Sequence, residues 1–381
     1  MVIGAGLLGV STAFHLARRG AQVEILERAA PAGGTSASSF ARISALHKLP
    51  RAYFELNHAG LRAWHDLVRT MPDLPGVYLC GSHVCGDGDG VDGFAQHLRD
   101  LAAWGATVRP CEPGDLKPQD GGPVCLAANA VMAALPEEGW VDVPVAANAL
   151  LQAARQDGQT AVRLGSEVVG IDAMASGLRI TLADGNHTTA DAVVNAAGPD
   201  SGAVARLVGR QLPLSPSRGL LVDLDTADCQ AKPAMVEAPQ ATVRPTGQPA
   251  RIQARADAVD AELNRPDAGS GTRELDALAH RVCSLVGDVL PAFAQATVAS
   301  YKVGVRSMPA DGYPSIGAVR DIPGYYEAVS HSGVTLGVLL GRLLTEEILT
   351  GDRNRLVTPY APDRFTAAPS RGSESERAAS V

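Results

Sequence analysis

Residues 1–28 read MVIGAGLLGVSTAFHLARRGAQVEILER, and the spacing inside this stretch decides the fold. Val2 and Ile3 run into Gly4-Ala5-Gly6-Leu7-Leu8-Gly9. A helical pattern carries Val10, Ala13, Phe14 and Ala17 as far as Gly20, and a second apolar strand from Val23 ends at Glu27. Strand, glycine turn, helix and strand in that order make the βαβ unit that holds the ADP part of a dinucleotide. Gly4 permits the tight turn, Gly6 lets the backbone approach a pyrophosphate, and Gly9 allows the helix to pack closely on the strand. The N–H groups around Leu8 and the positive end of the helix favour a bound anion. Glu27 sits where a carboxylate can accept hydrogen bonds from a ribose diol, and its charge disfavours a 2′-phosphate.

The rest of the composition narrows the class. A chain of 381 residues has room for two lobes, and an apolar fraction of 46% supports a real core. A net charge of −8 without a dense Lys/Arg run argues against nucleic acid as the main partner. The only lysines are Lys48, Lys117, Lys232 and Lys302, a bias that fits a GC-rich genome. The 6 cysteines form no C-x-x-C pair and no zinc-like spacing, so reduced thiols and no metal site are expected. No apolar run is long enough for a membrane span, and no basic segment precedes the first apolar residues as a signal peptide requires. A cytoplasmic location is the expectation.

After Glu27, the loop AAPAGGTSASSFARISALHK (29–48) is built of small residues that let backbone lie against a ligand, with Arg42 and His47 as polar exceptions. Helices are predicted over Tyr53–Met71, Phe94–Trp104, Pro144 to near Gly158, and Thr272–Val289. Strands are predicted over Val162–Ile171, Leu178–Leu182 and Ala192–Asn195, with an Asp184-Gly185 hairpin turn between the last two. Short strands punctuated by prolines between Leu212 and Arg255 suggest an antiparallel sheet in a second lobe. The segment from residue 362 lacks periodicity and is expected to be disordered.

Four motifs in this order resemble the FAD-dependent oxidoreductases of the D-amino-acid oxidase, glycine oxidase and sarcosine oxidase type. They are the GAGLLG fingerprint ending at Glu27, the GGTSASSFARIS loop, VVNAAGP (193–199), and the closing pair GVRSMPADGYPSIG with SHSGVTLGVLLGRLLTEEI. The resemblance implies an α/β chain: a doubly wound, Rossmann-like FAD domain from residues 1–80, 140–211 and 302–361, and a second domain on an antiparallel sheet from 81–139 and 212–301. It implies that Gly4, Gly6, Leu8 and Gly9 hold the pyrophosphate, Glu27 the ribose, and Arg28 the adenine side. Thr35 and Ser36 would meet the diphosphate or ribityl chain, Arg42 would approach the isoalloxazine, and Val168 would contact adenine through its backbone. Ala197 and Gly198 would pass close to the cofactor. Gly333, Val334, Thr335 and Leu336 would direct N–H groups at the flavin's pyrimidine carbonyl, where the following helix dipole stabilises the anionic reduced ring.

The same resemblance makes Arg306 the partner of a substrate carboxylate, because a guanidinium grips both oxygens; a structural ion pair is the competing role. Lys302 would help shape the pocket or face solvent. His331 would act as general base or as a loop hydrogen-bonding group. Val303–Ile316 holds no cysteine and Gly33–Phe40 no histidine, so FAD is expected to be held non-covalently. Ser307 replaces the proline many relatives carry, and only three residues precede Gly4, which fits a truncated start. The implied reaction is oxidation of a C–N bond by hydride transfer to flavin, giving an imine. The substrate is a small amine or amino acid, and dioxygen or another electron acceptor reoxidises the flavin. Two other functions use the same fingerprint: an NAD-dependent dehydrogenase and a catalytically silent flavin-binding protein. Neither the amine nor the oligomeric state is legible.

Overall fold

The computed structural model describes residues 1–365 apart from 117–121, 123, 157–158, 216, 228, 230–233 and 270. The fingerprint folds as read: strand Val2–Ile3, helix Leu7–Arg18, strand Val23–Glu27. Gly4 adopts φ +99°, open to glycine at little cost, and an added Cβ would lie 2.5 Å from the Ala196 carbonyl oxygen. A Cβ on Gly9 would run into the Gly4 carbonyl. These two glycines therefore set how closely the helix starts over the strand.

The first strand lies inside a six-stranded sheet. The order is Ser315–Ala318, Tyr325–Val329, Val193–Asn195, Val2–Ile3, Val23–Glu27 and Thr160–Leu164. All neighbours are parallel except the edge strand Ser315–Ala318. Its short central member is secured at both sides, where Gly4 N–H donates to the Leu26 carbonyl (2.9 Å) and Ala196 N–H to the Ile3 carbonyl (3.0 Å). The fingerprint helix packs on the closing helix Gly337–Thr350, and Gly341 and Gly337 leave no side chain between it and Ser11 and Leu7.

The second large sheet has eight strands, in the order Thr297–Arg306, Ser217–Asp225, Arg251–Arg255, Thr242–Pro245, Val236–Glu237, Ser82–Gly86, Val131–Leu135 and Arg109–Cys111. Pairing is antiparallel except between Val236–Glu237 and Ser82–Gly86. Helix Thr272–Val289 buries Ala279, Val282, Val286 and Val289 in the hydrophobic core of this sheet. The strand Thr297–Arg306 runs through residue 302, where the sequence reading divides the two domains.

Three expectations change. The single strand expected over Val162–Ile171 breaks at Gly165 (φ +65°), and Ser166 N–H turns back to the Glu27 carbonyl (3.0 Å). Its halves, Thr160–Leu164 and Val168–Ala173, join different sheets. The Asp184-Gly185 turn leads not to Val193–Asn195 but to an extra strand, His187–Ala190, that pairs with Leu178–Leu182. Pro362–Phe365 is a 3-10 turn rather than a disordered segment, held by the Arg210 guanidinium donating to the Pro362 carbonyl (2.6 Å). Residues 366–381 and the expected helix end at Gly158 lie outside the described residues; the helix itself spans Val143–Gln156.

Candidate active site

Between the fingerprint turn and the eight-stranded sheet lies a cavity of about 680 Å³. Its walls come from distant parts of the chain: Gly6 and Leu8, the small-residue loop from Thr35 to Lys48, Gly198, Arg306, and His331 to Thr335. The loop works as a wall because it coils into a 3-10 turn over Thr35–Ser38, where Thr35 Oγ1 donates to the Val305 carbonyl (2.6 Å). That bond ties the loop to the strand carrying Arg306.

The far end of the cavity is held from behind by one helix, Arg51–Thr70. Tyr53 Oη is 2.9 Å from Ser332 Oγ, and Trp64 Nε1–H donates to the Val334 carbonyl (2.9 Å). Gly60 lets the helix approach so closely that a Cβ would sit 2.7 Å from the Thr335 carbonyl. Thr335 Oγ1 accepts from Ser44 N–H (3.1 Å) and is 3.2 Å from the Arg42 carbonyl. The loop 332–335 is thus fixed by groups that need no ligand, which is preorganisation rather than induced order.

A dinucleotide fits this geometry. The helix Leu7–Arg18 has no acid in its first turn and only Ser36 Oγ accepting from Leu7 N–H (3.2 Å), so the rest of its positive end is available to an anion. Gly6 faces the cavity with only Ser36 Oγ, at 3.4 Å, near an added Cβ. Ser330 Oγ is buried at the cavity wall without a hydrogen-bond partner among the described residues. Glu27 uses its carboxylate on the turn itself, accepting from the N–H groups of Ala5 and Ala29 (both 2.8 Å). Arg28 pairs with Asp200 (2.7 Å) at the surface. Glu27, Arg28 and Val168 lie outside the cavity lining; Gly4, Gly9, Ala197 and Leu336 support it from behind.

The opposite wall is ionic. Arg42, half-buried, pairs with Glu138 (2.5 Å) and also with Glu237. Glu138 accepts a further bond from Ser82 Oγ (2.6 Å) and one from Ser44 Oγ. Arg306 pairs with Asp260 and donates to Ser217 Oγ (3.1 Å), so the ion-pair role anticipated for it is present while its side chain still lines the cavity. Arg255 pairs with Asp257 (2.6 Å). Lys302 lines a separate, smaller cavity of about 370 Å³ on the other side of the Ser36–Ser39 loop, not this one. Lys48, Glu138, Arg255 and Asp260 were not singled out from the sequence. Glu138 and Asp260 meet their arginines across 96 and 46 residues of chain, and no spacing rule connects them.

His331 opens into the cavity, and desolvation together with the charges of Lys48, Arg306 and Arg255 pushes its pKa down to about 3. A ring that weak stays neutral near pH 7 and is a poor base for an ammonium; it suits hydrogen bonding. His47 is exposed and lies 2.6 Å from Glu237. Half-buried His15 is lowered to about 4 by desolvation and by the charges of Arg342 and Arg18. The unfolded chain protonates this ring near its ordinary 6.5, so its contribution to folding stability is full above that pH and declines as pH falls toward 4. Melting temperatures measured from pH 7 to pH 4 should fall accordingly, and His15→Gln should flatten the decline. An unchanged slope would mean that carboxylates dominate it.

No group of three or more His, Cys, Asp or Glu side chains suited to a metal occurs among the described residues, and no described helix is long and apolar enough to cross a membrane.

Known proteins share this architecture. The family described as FAD dependent oxidoreductase (DAO) matches residues 1–347. An uncharacterized oxidoreductase of Bacillus subtilis (strain 168), YurR, is 24% identical over 384 residues, covering 95% of this chain and 98% of its own length. Glycine oxidase of Bacillus licheniformis is 26% identical over 230 residues, 58% of this chain and 59% of its own. Among solved structures, glycine oxidase from Geobacillus kaustophilus superposes with a TM-score of 0.79 at 21% identity, covering 95% of this chain and 97% of the other. Iminodiacetate oxidase from Chelativorans sp. BNC1 gives a TM-score of 0.76 at 23% identity, covering 95% and 98%. At these identities the superpositions speak for the fold.

Proposed function

Because the chain belongs to the FAD-dependent oxidoreductase family, we propose that it oxidises the C–N bond of a small amino acid or secondary amine that carries a carboxylate. One observation carries the substrate class: the cavity that begins at the fingerprint turn ends at a wall holding Arg306, Arg255 and Lys48. Relatives named for glycine and iminodiacetate act on amines of this kind. The family assignment removes the NAD-dependent alternative.

When bound, FAD supplies the two-electron acceptor for a hydride from the substrate's α-carbon. The protein's part is placement. Gly6, Leu8, Thr35, Ser36 and the Gly333–Thr335 loop are the residues to hold the cofactor, non-covalently, since the segments that would carry a cysteinyl or histidyl link have neither residue. Arg306, its guanidinium angle set by Asp260 and Ser217, orients the substrate carboxylate. Met308, Leu220, Leu221 and Val329 give the cavity apolar surface that excludes water from the reacting carbon. The amine must be neutral before its α-C–H bond is oxidised. The neighbouring cations lower the amine's own pKa, so the proton leaves more readily. Loss of hydride from the α-carbon leaves an iminium, which releases the nitrogen's proton to give the imine that water then hydrolyses.

Anaerobic mixing of the yellow protein with a panel of D- and L-amino acids and N-substituted glycines tests this reading. At least one carboxylate-bearing amine should bleach the flavin band. If FAD binds stoichiometrically and no amine in the panel bleaches it, the protein is a flavin carrier and the reading fails.

A further inference from the structure

Four cationic side chains reach the main cavity, and three of them arrive with a counter-ion. Arg42 has Glu138 and Glu237, Arg255 has Asp257, and Arg306 has Asp260. Lys48 has none. Among the described residues its ammonium makes no ion pair and no hydrogen bond; it lies over the Tyr53 ring, 5.9 Å from Nζ to the centroid, and the Glu138 carboxylate, already paired with Arg42, acts on it only from beyond ion-pair distance. An ammonium so placed is incompletely solvated and incompletely paired, a state that costs free energy until an anion arrives.

The backbone turn at His47 sets its position. His47 takes φ 58°, in the left-handed region that histidine visits more often than most residues, and its ring is held by Glu237 at 2.6 Å. That twist sends the side chains of two successive residues to different destinations, His47 to Glu237 and Lys48 beside Tyr53. Tyr53 in turn holds Ser332, in the loop that closes the far end of the cavity. Lys48 therefore stands between the small-residue loop and His331, whose ring feels its charge more than that of Arg306 or Arg255.

We propose that Lys48 is the residue that selects anionic substrates: its ammonium receives a carboxylate oxygen of the bound amine, while Arg306, already neutralised by Asp260, sets orientation. The inference rests on the reading of this cavity as the amine site. Burial and the charges of Arg42 and Arg255, opposed in part by Glu138, lower the Lys48 pKa to about 8, so it remains largely protonated near neutral pH and able to hold a carboxylate. A carboxylate would be drawn to the unmatched charge first, because displacing Asp260 from Arg306 gives back much of what it gains.

The test uses the flavin-loaded protein and two non-oxidisable probes, benzoate and its neutral analogue benzamide, read as perturbation of the oxidised flavin spectrum. Lys48→Met should raise the Kd for benzoate about 10- to 100-fold, the range for one charge-assisted hydrogen bond, and leave benzamide unchanged. Lys48→Arg, which keeps the charge, should recover most of the affinity and guards against a folding defect in the methionine variant. Equal weakening of both probes, an unchanged benzoate Kd, or failure of benzoate to perturb the wild-type spectrum would each overturn the assignment. No turnover enters this measurement. If amines fail to bleach the flavin but benzoate binding still depends on Lys48, the oxidation reading falls and the anion site stands.

Discussion

Gly9→Val is expected to yield protein with less than about a tenth of the wild-type flavin content. A Cβ at residue 9 collides with the Gly4 carbonyl, and Gly4 is tied into the sheet by its N–H bond to the Leu26 carbonyl (2.9 Å). The helix start must move outward, carrying with it the N–H groups and positive end that would hold the pyrophosphate. Overpacking of this kind costs about 1–3 kcal/mol in stability, which a chain of this size survives; the loss should appear mainly as cofactor affinity. Flavin released by acid and counted against protein absorbance gives the answer. It also tests the non-covalent attachment, because covalently held flavin would stay with the precipitate. A Gly9→Val protein that purifies fully yellow would mean that the turn does not face the cofactor.

Glu327→Ala is the second large effect, and it falls on stability. Glu327 is fully buried on the strand Tyr325–Val329, 2.5 Å from Arg210 Nε and accepting a bond from Ser315 Oγ at 2.5 Å. Removing the carboxylate leaves a guanidinium that is 3% exposed with only a backbone carbonyl, that of Pro362, as partner. Breaking one half of such a pair costs about 3–5 kcal/mol, or roughly 5–10 °C in Tm. The double replacement Arg210→Met with Glu327→Leu should lose much less, since no charge is left stranded. If the single and double variants melt alike, the pair is not isolated from solvent as the structure has it. The Gly333–Thr335 loop lies beyond this strand, so surviving protein should still bind flavin.

Much of the fold was legible because its decisive features are local. A glycine at φ +99° and a period of apolar residues are written in consecutive positions, and they specified the opening unit and the helices Arg51–Thr70 and Thr272–Val289 closely. The misreadings came where a short-range signal competed with another. Val162–Leu164 and Val168–Ile171 are both strand-like, and Gly165-Ser166-Glu167 between them marks the turn into a second sheet. The cavity's main residues were legible through motif spacing, from Gly6 to Thr335. Its charge pattern was not. Arg306 meets Asp260 from a short helix, Asp257–Leu263, and Arg42 meets Glu138 and Glu237 across two other segments. Such pairings are products of the sheet order, which no residue pattern announces. Lys48 became conspicuous only when every neighbouring cation was seen to be matched.

The order of the six-stranded sheet also governs how the molecule is made. The strand Val2–Ile3 needs Val193–Asn195 on one side, and that strand waits for Tyr325–Val329. More than three hundred residues must therefore be synthesised before the sheet can close. Until then a nascent chain carries unpaired strand edges beside the apolar fingerprint helix, a combination that invites aggregation. Yield in a heterologous host should accordingly respond more to chaperone supply and growth temperature than to substitutions at the surface.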